Sequence, residues 1–189
     1  MAPSAIGASP ATPPGGAPDS VAHSITSLHP SHLHNLAFTI LDNLQHQHDW
    51  NSLTIHTHSK RTGQRLPRPL ISGVPPKRVY VHPDEQVEIL QAEHETGIHI
   101  VQQAEREWVL PAHLSEKWNL KAFAELFDAI DTLPPVDEAD EKDNDDQCQV
   151  GEKWRGDQRQ KRVLLATLYD DSTVVYYIMH DGIVKPRQN

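Results

Sequence analysis

The stretch that most limits what this chain can fold into is Arg162–Pro186, RVLLATLYDDSTVVYYIMHDGIVKP. Two apolar runs, Val163–Leu168 and Val174–Met179, flank a short polar turn carrying Asp170, Asp171 and Ser172. The runs are rich in Val, Ile, Leu, Thr and Tyr and hold neither Gly nor Pro, which predicts a β-hairpin. Neither run alternates apolar with polar, so both faces of both strands need cover. The chain's own core can supply one side, and a partner suits the other.

Composition narrows the rest. With 189 residues, 37% of them hydrophobic, there is room for one modest domain with disordered flanks. A formal charge of −9 argues against holding nucleic acid through the overall field, although a local basic face can exist inside an acidic whole. A single cysteine, Cys148, excludes an internal disulfide and a Cys-based zinc site. No window has the apolar length of a membrane span, and the N-terminal residues lack the pattern of a signal peptide. The expectation is an intracellular, soluble protein.

Along the chain, residues 1–28 begin as a Pro, Gly, Ala and Ser tract with little to bury, and are expected to be a disordered tail ahead of a domain over 29–189. Leu33, Leu36, Ala37, Ile40, Leu41 and Leu44 predict a helix over Ser31–Gln47, and Ser52–His58 alternates as a half-buried strand with Leu53 and Ile55 inward. Residues 59–76 hold four prolines and predict a long loop with a short strand near Leu70–Ile71. Lys77–Val81 reads as a strand stopped by Pro83, and Asp84–Glu95 as a helix stopped at Gly97. Helix and strand are both open for Ile98–Arg106, while Glu107–Leu110 reads as extended and closed by Pro111. Leu120, Phe123, Ala124, Phe127 and Ile130 mark the clearest helix, with Asn119 as N-cap. The acidic run 137–146 predicts a disordered insert from about 135 to 160, anchored only at Val150 and Trp154.

Several chemistries can be weighed on these residues. The 13 histidines include the pairs His32/His34, His46/His48 and His56/His58. On a helix an i, i+2 pair points its rings about 200° apart, and the sequence defines no carboxylate partner or second shell for these imidazoles, so exposed polar histidines are the better reading and no metal is expected. No G-x-S-x-G elbow and no Gly-rich phosphate loop is present, which leaves no case for a serine hydrolase, a nucleotide site or another cofactor. Lys60, Arg61, Arg65, Arg68, Lys77 and Arg78 form a basic stretch without an acid. It reads either as a solvated loop or as candidate RNA contacts to the phosphate backbone. Asp170 and Asp171 sit on a short fixed turn that can aim their charge at one spot, although Asp also simply suits turns.

At this point the residues carry a resemblance. DDSTVVYYIMHDGIVKP, preceded by VLLATL, resembles the C-terminus of the small non-catalytic subunit of eukaryotic tRNA-splicing endonuclease, the Sen-fifteen subunit, in its fungal form. The matching string is Asp171-Ser172-Thr173, Val175-Tyr176-Tyr177 and Asp181-Gly182. Trp108–Pro111 before the Leu120–Ile130 helix, and an N-terminal helix leading to a Trp and a strand, extend the likeness more weakly.

The resemblance implies an α/β (α+β) domain, a small mixed β-sheet with packed helices like the C-terminal nuclease-like domain of tRNA-intron endonucleases. It further implies a four-domain assembly in which two catalytic subunits cut pre-tRNA and two non-catalytic ones hold them. Carried onto this chain, the strand Val174, Val175, Tyr176, Tyr177, Ile178 and Met179 pairs with a catalytic subunit. The acidic loop Tyr169, Asp170, Asp171 and Ser172 enters a basic pocket of the other dimer. Catalytic relatives use Tyr, His and Lys; here Tyr80, His82 and Lys161 stand in the comparable stretches without the surrounding pattern, so the chain is expected not to be an enzyme. A catalytic endonuclease subunit and a stand-alone RNA-binding module are the rival readings. The family implies the nucleus, or the cytosolic face of mitochondria as in some yeasts. An unpaired apolar strand also suits homodimerisation of the isolated chain. Which of Tyr176 and Tyr177 faces its own core stays open.

Overall fold

The computed structural model describes residues 29–135 and 150–182. The expected N-terminal tail and residues 136–149 of the acidic insert lie outside the described residues, as does the end of the chain from residue 183. In order, the elements are α1 (Ser31–Gln47), β1 (Asn51–His58), β2 (Arg65–Val74), α2 (Pro83–Thr96), β3 (Glu107–His113) and α3 (Leu120–Ala129). Two 3-10 turns, Glu152–Trp154 and Gly156–Gln158, then lead into β4 (Arg162–Leu168) and β5 (Val174–His180).

The five strands form one mixed sheet in the order β1-β2-β3-β4-β5. Every neighbouring pair is antiparallel except β3 and β4, which run parallel from Val109↔Leu164 to His113↔Leu168. A parallel pair needs a crossover, and the segment holding α3 and the two 3-10 turns provides it. Apolar residues cover both faces. On one, Leu36, Ile40 and Leu44 of α1 pack with Trp50 on Ile71, Val109, Leu164 and Ala166. On the other, Leu126, Phe127 and Ile130 pack on Leu66, Leu70, Trp108, Leu110 and Val163. The central strands therefore carry near-continuous apolar runs, as a sheet buried on both faces requires.

Local signals explain the helix ends. The Asn119 side chain accepts from the Ala122 N–H at 2.9 Å and starts α3. At α2, His82 caps the Asp84 N–H while Glu85 reaches back to the His82 N–H, and Gly97 at φ +68° ends the helix in the left-handed region.

Five sequence expectations are corrected. First, β2 is a ten-residue strand, not a loop with a short strand at Leu70–Ile71. Its register against β1 slips between His56↔Leu70 and His58↔Arg65, and β3 pairs only with Ile71–Gly73. Pro67 and Pro69 thus stand where no regular ladder needs their missing N–H. Second, Lys77–Val81 forms no strand; Arg78 in that segment instead turns inward. Third, Pro111 does not close β3, which continues to His113 because the antiparallel partner ends at Val109. Fourth, residues 150–160, expected to continue the insert, are folded, with Arg159 only 4% exposed. Leu120 also leaves the predicted stripe: it is 88% exposed, and Leu126 takes its place in the core.

Candidate partner-binding site: the closing hairpin

β4 and β5 pair through a seven-residue ladder from Arg162↔His180 to Leu168↔Val174. β4 lies inside the sheet, while β5 is its last strand and bonds to no strand on its other side among the described residues. The expectation of cover on both faces is thus met by β4 and only half met by β5, whose residues are mostly intermediate in burial. Val174, Tyr176 and Ile178 pack toward the α1 core, and Met179 toward the α3 core. Tyr176 faces the chain's own interior. Its hydroxyl donates to Asn43 Oδ1 at 2.5 Å, its ring meets His48 edge to face, and burial pushes its phenol well above the usual range. Tyr177, one residue on, points to the other face and stays 50% exposed. The strand therefore offers an open row of backbone groups beside a half-exposed aromatic ring, the features of an edge that takes another strand.

The tip is a built turn. The Tyr169 N–H donates to Thr173 O at 2.8 Å, and the Ser172 N–H returns to Tyr169 O at 3.0 Å. Ser172 takes a left-handed φ of +69°, an uncommon state for a side chain with a Cβ. Asp171 Oδ1 accepts from the Thr173 N–H at 2.9 Å, and this bond holds its carboxyl below the usual range. Asp170 is 89% exposed, with Oδ1 3.4 Å from His113 Nε2 at the end of β3. The neighbouring Tyr177 pushes the Tyr169 phenol up, first through its charge. Two carboxylates thus stand on a stiff loop at the end of the open strand.

The basic stretch does not form one surface. Arg68 is 7% exposed, bonded at 2.6 and 3.2 Å to Glu116 and lying over the Trp118 ring. Burial raises the Glu116 carboxyl, but the bonds and charge of Arg68, with the His113 N–H, together prevail and leave the group below its usual value. Arg78 bonds Glu85 at 2.7 and 2.9 Å with its side chain 2% exposed. Arg61 pairs with Asp131 at the surface, and Arg65 Nε points to His29 Nε2 at 3.3 Å. Lys60 and Lys77 are exposed. The two buried arginines, read from sequence as candidate RNA contacts, are turned away from solvent.

Tyr80, His82 and Lys161 are each committed to the fold. Lys161 Nζ donates to Phe127 O and Ile130 O at 2.9 and 3.0 Å, closing the last carbonyls of α3. His82 caps α2 and stacks on Trp154 with ring centroids 3.9 Å apart. Tyr80 meets His180 edge to face and lies under the Arg162 guanidinium. Among the described residues no group of three or more His, Cys, Asp or Glu side chains is arranged to hold a metal.

Sequence reasoning missed a buried ionic network that anchors the hairpin's base. Glu107 receives Arg159 at 3.2 Å and Arg162 at 2.5 Å, and Glu105 receives Arg159 and Arg162 at 3.2 and 3.1 Å. Glu85 joins Arg78 to Arg155. Burial raises Glu105, but the Gly156 N–H and the arginines around it prevail and lower it. Gly151, at φ +79°, lies so close to Glu85 that an added Cβ would be 2.8 Å from its Cγ. The available signal was Arg155, Arg159 and Arg162 following an acidic run, with Glu105 and Glu107 opening a strand. Its physical meaning shows only when the parallel β3–β4 pair brings both ends together.

Fold and site together define a small mixed-sheet domain with an edge strand that is open among the described residues and an acidic turn at its end. The family model described as Sen15 protein matches residues 39–189, and the chain belongs to that family. Over 158 residues it is 52% identical to a Neurospora crassa protein named probable tRNA-splicing endonuclease subunit tsp-1. That match covers 84% of this chain and 67% of the relative.

Proposed function

We propose that this chain is a non-catalytic structural subunit of the tRNA-splicing endonuclease, supporting intron removal from pre-tRNA by completing the complex. The open β5 edge with a carboxylate turn at its end carries this reading. β5 pairs with a catalytic subunit, burying Tyr177 and the unpaired backbone, while Asp170 and Asp171 enter a basic pocket on the other half of a heterotetramer. Carboxylates brought into a pocket of reduced solvent form short charge-assisted bonds that fix orientation. The engagement of Lys161 with the α3 carbonyls supports the non-catalytic assignment, because a helix-capping ammonium is not free to meet a phosphorane. The nucleus is the expected compartment, with the mitochondrial surface as the alternative.

The test is a pull-down of the tagged chain with identification of co-purifying subunits, followed by pre-tRNA cleavage with the assembled complex. The catalytic subunits should co-purify, and cleavage should survive Lys161→Gln if the domain stays folded. Cleavage by the isolated chain would contradict the proposal.

A further inference from the structure

We infer that His113 is a positioning residue for the acidic tip, holding Asp170 in the orientation in which it docks; this rests on the reading of the tip as the joint between the two halves of the complex. His113 is the last residue of β3 and lies opposite Leu168 in the parallel ladder. Just beyond it the Leu114 N–H donates to Leu168 O at 2.9 Å, so the end of β3 is tied to the base of the tip. The imidazole is held in turn. The Ser115 N–H points at Nδ1 from 3.3 Å and Ser115 Oγ lies 2.8 Å from the same atom. The His113 N–H donates to Glu116 Oε1 at 3.2 Å, on the carboxylate that also binds Arg68. With Nδ1 accepting from the Ser115 N–H, the neutral ring carries its proton on Nε2, the atom 3.4 Å from Asp170 Oδ1.

Among the described residues His113 is the one basic group at ion-pair distance from Asp170. The contact is long for a hydrogen bond, and the carboxylate is 89% exposed, so it adds little to folding. Its effect falls on binding. Restricting Asp170 before docking lowers the ordering cost of association, and because the contact runs through Oδ1, Oδ2 can meet the partner's cation while the contact persists.

The experiment measures joining of the two heterodimers in the reconstituted complex by sedimentation, using wild type, His113→Ala, His113→Gln, Asp170→Asn and the His113→Ala/Asp170→Asn double variant. His113→Ala should leave the thermal midpoint unchanged and weaken joining roughly threefold, the scale of an exposed polar pair. His113→Gln, whose amide can donate to Asp170, should restore joining, and adding His113→Ala to Asp170→Asn should cost nothing further. Unchanged joining in His113→Ala, or full additivity in the double variant, overturns the role of His113. An Asp170→Lys/Asp171→Lys control that joins normally overturns the joint itself, which separates the two failures.

Discussion

At the residue scale, the two adjacent tyrosines show what a sequence can and cannot decide. The run VVYYIM has no alternation, so nothing in it distinguishes the inward ring from the outward one. The distinction comes from α1, which brings Asn43 over β5 to receive the Tyr176 hydroxyl. Tyr176→Phe should therefore cost about 1 kcal/mol in urea denaturation, and Tyr176→Ala about 3 kcal/mol, while Tyr177→Ala changes stability little and weakens partner pairing instead. His29 gives a pH prediction. It is 2% exposed, donates from Nε2 to Leu66 O at 2.8 Å, and faces Arg65, His34 and His58. Burial first, and then these neighbours, hold it below its ordinary value of 6.5. The unfolded chain thus binds the proton more readily, and the stability this group contributes is lost as pH falls below 6.5. Thermal midpoints between neutral and mildly acidic pH should fall less steeply for His29→Gln than for wild type.

At the element scale, the legible parts are those whose signals are local. The α1 stripe, the Asn119 cap, the Gly97 stop and the apolar hairpin each act within a few residues, and the structure agrees with each. The missed parts depend on distant partners. Prolines suit β2 because β3 joins it only beyond them, and residues 150–160 are ordered because Glu105 and Glu107 lie next to β4 in space. Removing one member of so buried a set leaves charges unpaired. Glu107→Ala should accordingly cost about 3 kcal/mol, read as a shift in the denaturation midpoint, because Arg159 and Arg162 lose their shared carboxylate. Gly151→Ala should also destabilise, through both its left-handed backbone and its clash with Glu85, and should expose the 150–160 segment to limited proteolysis.

For the whole molecule, the closing hairpin was readable from its apolar runs and the mixed fold from the family resemblance, whereas the sheet order, and with it the hairpin's place at the edge, was not, because a pattern of apolar runs does not say which strands are neighbours. That order matters most for function. It leaves β5 at the edge, with its acidic turn held beside the end of β3, and it draws Lys161 into the α3 terminus. In the proposed function this edge and turn join the chain to an enzyme whose chemistry lies in other subunits. The most direct measurement is the native mass of complexes formed when the chain, as wild type or Asp170→Lys/Asp171→Lys, is co-expressed with its partner subunits. Wild type should form a four-subunit complex, and the double variant an intact two-subunit complex that goes no further. A four-subunit complex in undiminished yield from the double variant would contradict the proposal.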